Sequence, residues 1–393
     1  MRTLRPDSRN GFGGLRAGTF SFKFQDSSFK LSLTASSRCP RQPAERGIAL
    51  VVVMISIFVL AMLAGAFAYS MKVETRLARN GNSEEELEWL GRSGVEYARW
   101  ILAQQLQVPN EPYDALNQVW AGGVGGIGTS NSPLADVQKE VHLGNGTFTW
   151  KIVNMESKAN INSAGEGMIQ QALINTGVDA GQATPIVNSI LDWIDPDNNT
   201  RIQGAESDYY QNLTPSYSAK NGFIDDMSEL LLIKEITPEM YWGTSSGDHP
   251  PGAVLPRADR SHLPLQTLTY PVGLVDVFTP VSDGRINLNT ASAAVLQLIP
   301  GIDAMAAEAI VGAREGEDDG SGLTGPYRNV GDVRRVPNLA PGLTAQLQQF
   351  CEVRSMTFEV TVDAEVNGYK RQFVALLRRN NPRDIQILNF YWK

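Results

Sequence analysis

The chain is poor in cysteine, histidine and charge. Its 393 residues include two cysteines and three histidines, and charged residues make up only 19%. The histidines are scattered without the spacing of metal ligands or of a catalytic triad, so the sequence predicts no enzyme. Cys39 lies in a region that we expect to be removed, which leaves Cys351 as a single, buried and unreactive thiol with no disulfide.

Charge is unevenly distributed along the chain. Residues 1–47 hold nine basic and three acidic side chains, and the remainder holds 25 basic and 39 acidic ones. An acidic body repels nucleic acid and other phosphate-rich surfaces. Apolar residues make up 42% of the chain, and this composition with this length predicts two or three globular domains rather than disorder.

One apolar run is long enough to span a membrane. From Ile48 to Tyr69 the chain carries no charge. A helix of about 22 residues is about 33 Å long, against a hydrocarbon core of about 30 Å. Only a helix satisfies all backbone polar groups of such a segment internally, so we predict a transmembrane helix.

The junction before this run resembles a type IV prepilin cleavage site. Glu45-Arg46 precedes Gly47, and the apolar run begins directly after it at Ile48. The resemblance implies that prepilin peptidase cuts after Gly47 and methylates the new amine of Ile48. A secretory signal cut at an A-x-A site before Tyr69 and an uncleaved signal anchor remain open alternatives, although the run exceeds the usual apolar region of about 7 to 15 residues.

The fifth position after the cleavage site points to one subtype. Pilin-like families usually carry Glu there, whereas this chain carries Val52. Absence of the Glu is associated with the tip subunit of the type II secretion pseudopilus, so the chain resembles the K proteins of that system. An ordinary membrane anchor would also lack the Glu.

The remaining chain predicts an α+β head. Leu87, Leu90, Gly94, Tyr97 and Ile101 follow helical spacing, so an amphipathic stalk helix follows the membrane span, and Asn80-Gly81-Asn82 leaves its continuity open. Alternating strands then predict two hairpins and a last strand, which together form an antiparallel sheet: 137–143, 147–154, 358–366, 371–378 and 385–392.

A repeated helical unit interrupts these strands. Asn160-Ile161-Asn162 is echoed by Asn287-Leu288-Asn289, and similar closing segments follow each opening. We predict that these Asn residues cap helices. The second copy also resembles helix-hairpin-helix modules of DNA-uptake proteins, but residues 286–345 carry four Arg against seven acidic residues, which disfavours phosphate binding. The K proteins are known for two such units inserted in a pilin-like head.

The predicted organisation has seven segments. They are a leader or cytoplasmic segment (1–47), the transmembrane and stalk helix (48–106), the first part of the sheet domain (107–157), a first helical unit (158–242), a Pro-rich connector (243–284), a second helical unit (285–350) and the C-terminal strands (351–393).

The first helical unit holds a candidate calcium loop. With Asp195 counted as position one, carboxylate, amide and carbonyl oxygens recur at the EF-hand positions, and the predicted ligands are Asp195, Asp197, Asn199, the carbonyl of Arg201, Glu206 and the nearby Asp208. Ca²⁺ takes six to eight such oxygens. Position six is Thr200 instead of Gly, and an ordinary acidic turn remains the alternative. Resemblance to the K proteins implies a structural calcium ion in this unit.

These features predict a minor pseudopilin of bacterial type II secretion. The expected location is the inner membrane, with a single pass and a periplasmic head. The resemblance implies as partners the I-, J- and H-type minor pseudopilins, the major pseudopilin, prepilin peptidase and membrane lipid, with no nucleic acid. The alternative is a membrane-anchored helix-hairpin-helix DNA-binding protein of competence type.

Overall fold

A computed structural model describes residues 46–125, 129–243, 272–316, 325–337, 339–340 and 342–393. The leader up to residue 45, including Cys39, and most of the predicted connector, 244–271, lie outside these residues. The α-helices are α1 (Arg46–Gln105), α2 (Glu166–Thr176), α3 (Ala180–Ile194), α4 (Ser207–Gln211), α5 (Pro238–Trp242), α6 (Leu274–Val277), α7 (Ala293–Leu296), α8 (Ala304–Arg314) and α9 (Leu343–Phe350). The strands are β1 (Glu140–Leu143), β2 (Gly146–Asn154), β3 (Ala159–Asn160), β4 (Phe278–Thr279), β5 (Ile286–Asn287), β6 (Cys351–Glu352), β7 (Thr357–Val366), β8 (Tyr369–Asn381) and β9 (Asp384–Trp392).

Helix α1 is continuous over 60 residues. Its part from Ile48 to Leu77 is long and apolar enough to cross a membrane, and its side chains are exposed. The sequence left a break at Asn80-Gly81-Asn82 open, and the structure carries the helix through these residues.

The head contains one antiparallel sheet of five strands in the order β1-β2-β7-β8-β9. The predicted hairpins are confirmed, β1 with β2 and β7 with β8, and β9 pairs with β8 as the edge strand. Leu87, Leu90 and Ile101 of α1 are buried in one core with the side chains of the sheet, as the helical spacing predicts.

Two glycines let α1 lie directly on the sheet. A Cβ atom at Gly91 would lie 2.4 Å from the Phe373 ring, and one at Gly94 would lie 2.5 Å from Val362. Both neighbours are buried and cannot move aside without disturbing the core. The absence of side chains at these two positions therefore sets the distance between helix and sheet.

We predict that Gly91→Ala destabilises the head by about 1–3 kcal/mol, because the added methyl group overpacks the core against Phe373. Gly81→Ala is the matched control, since no atom lies within 4 Å of its added Cβ. In a continuous helix this control gains stability by about 0.5–1 kcal/mol. Urea unfolding measures both. An unchanged Gly91→Ala variant would contradict the packing, and a destabilised Gly81→Ala variant would contradict the unbroken helix.

The helical block is inserted between two neighbouring strands. The chain leaves the sheet at Asn154, the end of β2, and returns at β7, where Phe358 is the partner of Asn154. Because the exit and entry points are adjacent, β2 pairs directly with β7 and the sheet is complete without the block. The block has its own hydrophobic core, distinct from that between α1 and the sheet.

The internal repeat is confirmed in the hydrogen bonding. Strand β3 opens the first unit and pairs in parallel with β4, while β5 opens the second unit and pairs in parallel with β6. Residues 272–279, which the sequence assigned to the connector, thus form α6 and β4, and β4 is the partner strand in the first of these pairings.

The repeated Asn residues do not cap helices, so that prediction is wrong. The Asn162 amide donates to the Ile224 carbonyl at 2.9 Å and accepts from the Ile224 N–H at 2.8 Å. Asn289 makes the same pair of bonds with Tyr327, at 2.9 and 2.8 Å. Each Asn therefore clamps the closing segment of its own unit, because an amide side chain matches both backbone groups of one residue.

Buried polar groups join the block to the sheet. Asp114 and Arg379 form an ion pair with side chains only 1% exposed, and Asp114 also accepts the Ser355 N–H at 2.9 Å. Ser355 Oγ accepts from the Asn154 and Asn287 amides, both at 2.7 Å. These residues, called the joint below, thus connect the loop after α1, both ends of the insertion and β8 in one network.

Loss of one charge at the joint should be costly. We predict that Asp114→Asn destabilises the protein by about 3–5 kcal/mol, because it leaves the buried Arg379 charge without compensation. Glu365→Gln is the control, since its ion pair with Lys370 is exposed and such pairs contribute about 0–1 kcal/mol. Chemical denaturation compares the two variants, and equal losses would contradict a buried joint.

Candidate functional site

The predicted calcium loop follows helix α3. This helix ends at Ile194, and Trp193 in its last turn is buried with its ring centroid 5.3 Å from that of Tyr210. The loop runs from Asp195 to the start of α4 at Ser207. The loop that carries these carboxylates is thus anchored at both ends to one hydrophobic core.

Three of the predicted ligands lie together. Carboxylate oxygens of Asp195, Asp197 and Glu206 all lie within 4.8 Å of one another. These three residues are called the carboxylate cluster below. They correspond to positions one, three and twelve of the predicted loop.

Glu206 is the most unusual member of the cluster. Its side chain is 3% exposed, and neither carboxylate oxygen has a hydrogen-bond partner of good geometry among the described residues. Burial, followed by the charges of Asp192 and Asp195, raises its pKa to about 7, and the Ser207 amide opposes this only in part. A buried carboxylate without a partner is costly unless a cation or a proton neutralises it.

The other predicted ligands lie apart from the cluster or make different contacts. The Asn199 N–H donates to Asp197 Oδ1 at 2.7 Å, and the Arg201 carbonyl accepts the Gly204 N–H at 2.9 Å. Asp208 is exposed in the first turn of α4 and does not belong to the group.

Asp192 is a residue that sequence reasoning missed. Its carboxylate is fully buried and accepts the Arg201 N–H at 3.2 and 3.3 Å. A Cβ at Gly204 would lie 2.1 Å from Asp192 Oδ2, so only glycine fits there. Burial is the main cause that raises the pKa of Asp192. Its position one turn before Asp195 on α3 was the available signal.

Two further side chains hold the outer part of the loop. Asn221 donates to the Asp197 carbonyl at 2.6 Å and to Asn198 Oδ1 at 3.0 Å. Lys234 Nζ donates to the carbonyls of Gln203 and Gly204 at 3.1 and 3.4 Å. The closing half of the unit therefore holds the loop in place against α3.

This donor set fits a hard divalent cation. It offers only oxygens, one carboxylate is buried without a partner, and Asp195 Oδ1 is likewise buried without a partner among the described residues. Ca²⁺ prefers such oxygens and accepts irregular geometry. The cluster residues could hold the ion, while Asp192 and Asn221 orient the loop.

The helix-hairpin-helix turn of the second unit is unsuited to phosphate. Asp303 caps helix α8, and its Oδ1 accepts the Ala306 N–H at 2.8 Å. The helix N-terminus therefore already carries a carboxylate at the place where a phosphate would bind. This geometry agrees with the acidic charge of the unit and disfavours the DNA-binding alternative.

Comparison with known proteins identifies the two units. Residues 151–243 match the family model for type II secretion system (T2SS) protein K, and residues 281–352 match the helix-hairpin-helix motif model. The chain therefore carries a domain of type II secretion protein K, and the predicted resemblance to that family is confirmed. The family is a structural component of the secretion system and is not known as an enzyme.

Individual relatives agree with this assignment. A curated relative from Escherichia coli (strain K12) is 27% identical over 50% of this chain and 60% of its own length. Type II secretion system protein K of Pseudomonas aeruginosa PAO1 is 24% identical over 88% of this chain and 92% of the relative. The match thus spans less than two thirds of the first relative and nearly all of the second.

A solved structure shows the same fold. One chain of the GspK-GspI-GspJ complex from the type 2 secretion system of enterotoxigenic Escherichia coli superposes with a TM-score of 0.56 and 16% identity. The match covers 80% of this chain and 99% of that chain. The predicted α+β architecture, an apolar N-terminal helix with an antiparallel sheet and inserted helical units, is confirmed.

Proposed function

We propose that this protein K family member is a minor pseudopilin, a non-enzymatic assembly subunit of the type II secretion machine. The family match of the first helical unit carries this proposal. The apolar start of α1 supports attachment to the inner membrane by a single pass, with the head in the periplasm.

Assembly partners follow from the same reasoning. The similar solved structure is a complex of GspK with GspI and GspJ, which supports I- and J-type minor pseudopilins as direct partners of this chain. H-type and major pseudopilins would join below them in the filament. The helical block between β2 and β7 adds bulk that a stacked subunit would have to avoid, so we propose that this chain caps the filament.

Processing at Gly47 tests the proposal. We predict that the native chain begins with N-methylated Ile48, as measured by mass spectrometry of protein purified from membranes. Gly47→Glu should leave the leader attached and abolish secretion in a strain that lacks its own copy. Gly65→Ala, in the same helix with no atom within 4 Å of the added Cβ, is the control. A native chain that starts at Tyr69 would refute membrane anchoring by this helix.

We further propose that the carboxylate cluster holds a structural Ca²⁺ ion. The buried Glu206, whose carboxylate oxygens have no hydrogen-bond partner within the described ranges, supports this most directly. A bound cation would neutralise the crowded carboxylates and so favour the folded loop. The ion has no catalytic part in this proposal, since its effect is to order the loop between α3 and α4.

Glu206→Gln separates the two effects of this carboxylate. With a chelator present, the variant should melt above the wild type, because a buried charge without a partner has been removed. With Ca²⁺ present, the melting temperature of the wild type should rise by several degrees, since an ion at about 100 times its Kd contributes about 2.7 kcal/mol. The melting temperature of the variant should change little.

Asp208→Asn makes the same chemical change outside the cluster, so its Ca²⁺ response should match that of the wild type. The measurement is thermal unfolding of the full chain in detergent, followed by circular dichroism. Identical melting temperatures of the wild type in Ca²⁺ and in chelator would refute the calcium site.

A further inference from the structure

Arg201 places a positive charge directly on the carboxylates of the calcium loop. Its Nη2 lies 3.2 Å from Asp195 Oδ2, and its Nε lies 3.3 Å from Asp192 Oδ1. The Arg201 side chain is 43% exposed, whereas that of Asp192 is fully buried. One end of this ion-pair network is therefore open to solvent.

The contact with Arg201 gives the two carboxylate oxygens of Asp195 different surroundings. Its Oδ2 is paired with Arg201, while its Oδ1 is buried without a partner among the described residues. Asp195 is at the same time a member of the carboxylate cluster. Glu206 is an independent sign of a ligand, because it is 3% exposed, belongs to the same cluster and has no hydrogen-bond partner of good geometry in the part of the chain that the structure describes. A cation that uses both Asp195 oxygens must displace the guanidinium.

The Arg201 guanidinium and a divalent metal ion would compensate the same negative charge. Asp192, Asp195, Asp197 and Glu206 supply four carboxylates around the loop, and Arg201 is the one guanidinium that the described residues place in contact with them. Lys234 reaches the loop too, but its ammonium group donates to the carbonyls of residues 203 and 204. Arg201 alone therefore offsets the repulsion between these carboxylates by direct ion pairs.

We propose that Arg201 is an internal competitor of the metal ion: its guanidinium and the divalent cation neutralise the same Asp195 carboxylate. The side chain then lowers the calcium affinity of the loop and holds the loop together when calcium is scarce. This inference rests on the calcium site proposed above and assigns a residue that sets its affinity.

Backbone and side chain of Arg201 have separable roles. Its N–H donates to Asp192, and its carbonyl, the predicted ligand, accepts from Gly204. Neither bond requires the guanidinium. A substitution of the side chain therefore leaves the loop backbone and the carbonyl in place and changes only the competing charge.

Arg201→Gln tests the competition through two changes of opposite sign. In chelator the variant should melt below the wild type, because the carboxylates have lost their counter-ion. In calorimetric titrations with Ca²⁺ alone, the variant should bind about two- to fivefold more tightly, the range that an exposed ion pair of up to about 1 kcal/mol implies. Both experiments use the full chain in detergent.

Two variants serve as controls. Arg201→Lys keeps the charge and should stay near the wild type in both measurements. Arg92→Gln removes an exposed ion pair with Glu88 in the head and should leave the calcium affinity unchanged. A residue with a purely structural role would lower both the melting temperature and the calcium affinity when substituted.

The outcomes separate the two proposals. If the wild type binds Ca²⁺ and Arg201→Gln binds with equal or weaker affinity, the competition is refuted while the calcium site stands. If neither protein binds Ca²⁺ in the titration, the calcium site is refuted, and the competition with it. Tighter binding together with a lower melting temperature in chelator would support both.

Discussion

The buried ion pair between Asp114 and Arg379 is the contact on which the architecture depends. It stands where a large helical block leaves and re-enters a small sheet between the paired residues Asn154 and Phe358. The two chain connections alone would let the block move relative to the sheet. A buried charge pair has strict geometric demands, because each charge is costly without its partner. Together with the Ser355 hydroxyl, which accepts from the amides of Asn154 at the end of β2 and Asn287 within the block, it gives the block one defined attachment.

The helical block shows how one unit was used twice with different results. Each copy opens with a short parallel strand pairing and is closed by an Asn clamp, Asn162 on Ile224 and Asn289 on Tyr327. Between these fixed points the copies are free to diverge. The first copy carries the acidic loop after α3, whereas the second carries a hairpin whose helix N-terminus is capped by Asp303. The second copy also carries four Arg against seven acidic residues over 286–345, which disfavours phosphate binding and is consistent with the scaffold role proposed above.

Crowded charge is the common feature of the acidic loop. Carboxylates can be held close together only when backbone N–H groups, a counter-ion or a metal ion offset their repulsion. Asp192 is satisfied by the backbone and by Arg201, whereas Glu206 has no hydrogen-bond partner of good geometry among the described residues, and its pKa is raised to about 7 by burial and neighbouring charges. The loop thus contains both a compensated and an uncompensated carboxylate. On the calcium proposal above, the uncompensated carboxylate is the group that a cation would neutralise.

The sequence by itself determined the features that depend on local pattern. An uncharged apolar run requires a helix, alternating strands around short turns require hairpins, and repeated Asn-x-Asn openings reveal two copies of one unit. Tertiary structure decided everything that depends on distant residues meeting. Asp114 and Arg379 lie 265 positions apart, and no pattern pairs them. Spacing along the loop placed Asp195, Asp197 and Glu206 together but could not show that Asp192 supports them. The partner of a side chain is set by the packing of whole helices and strands, and that packing cannot be inferred from the residues next to it in the sequence.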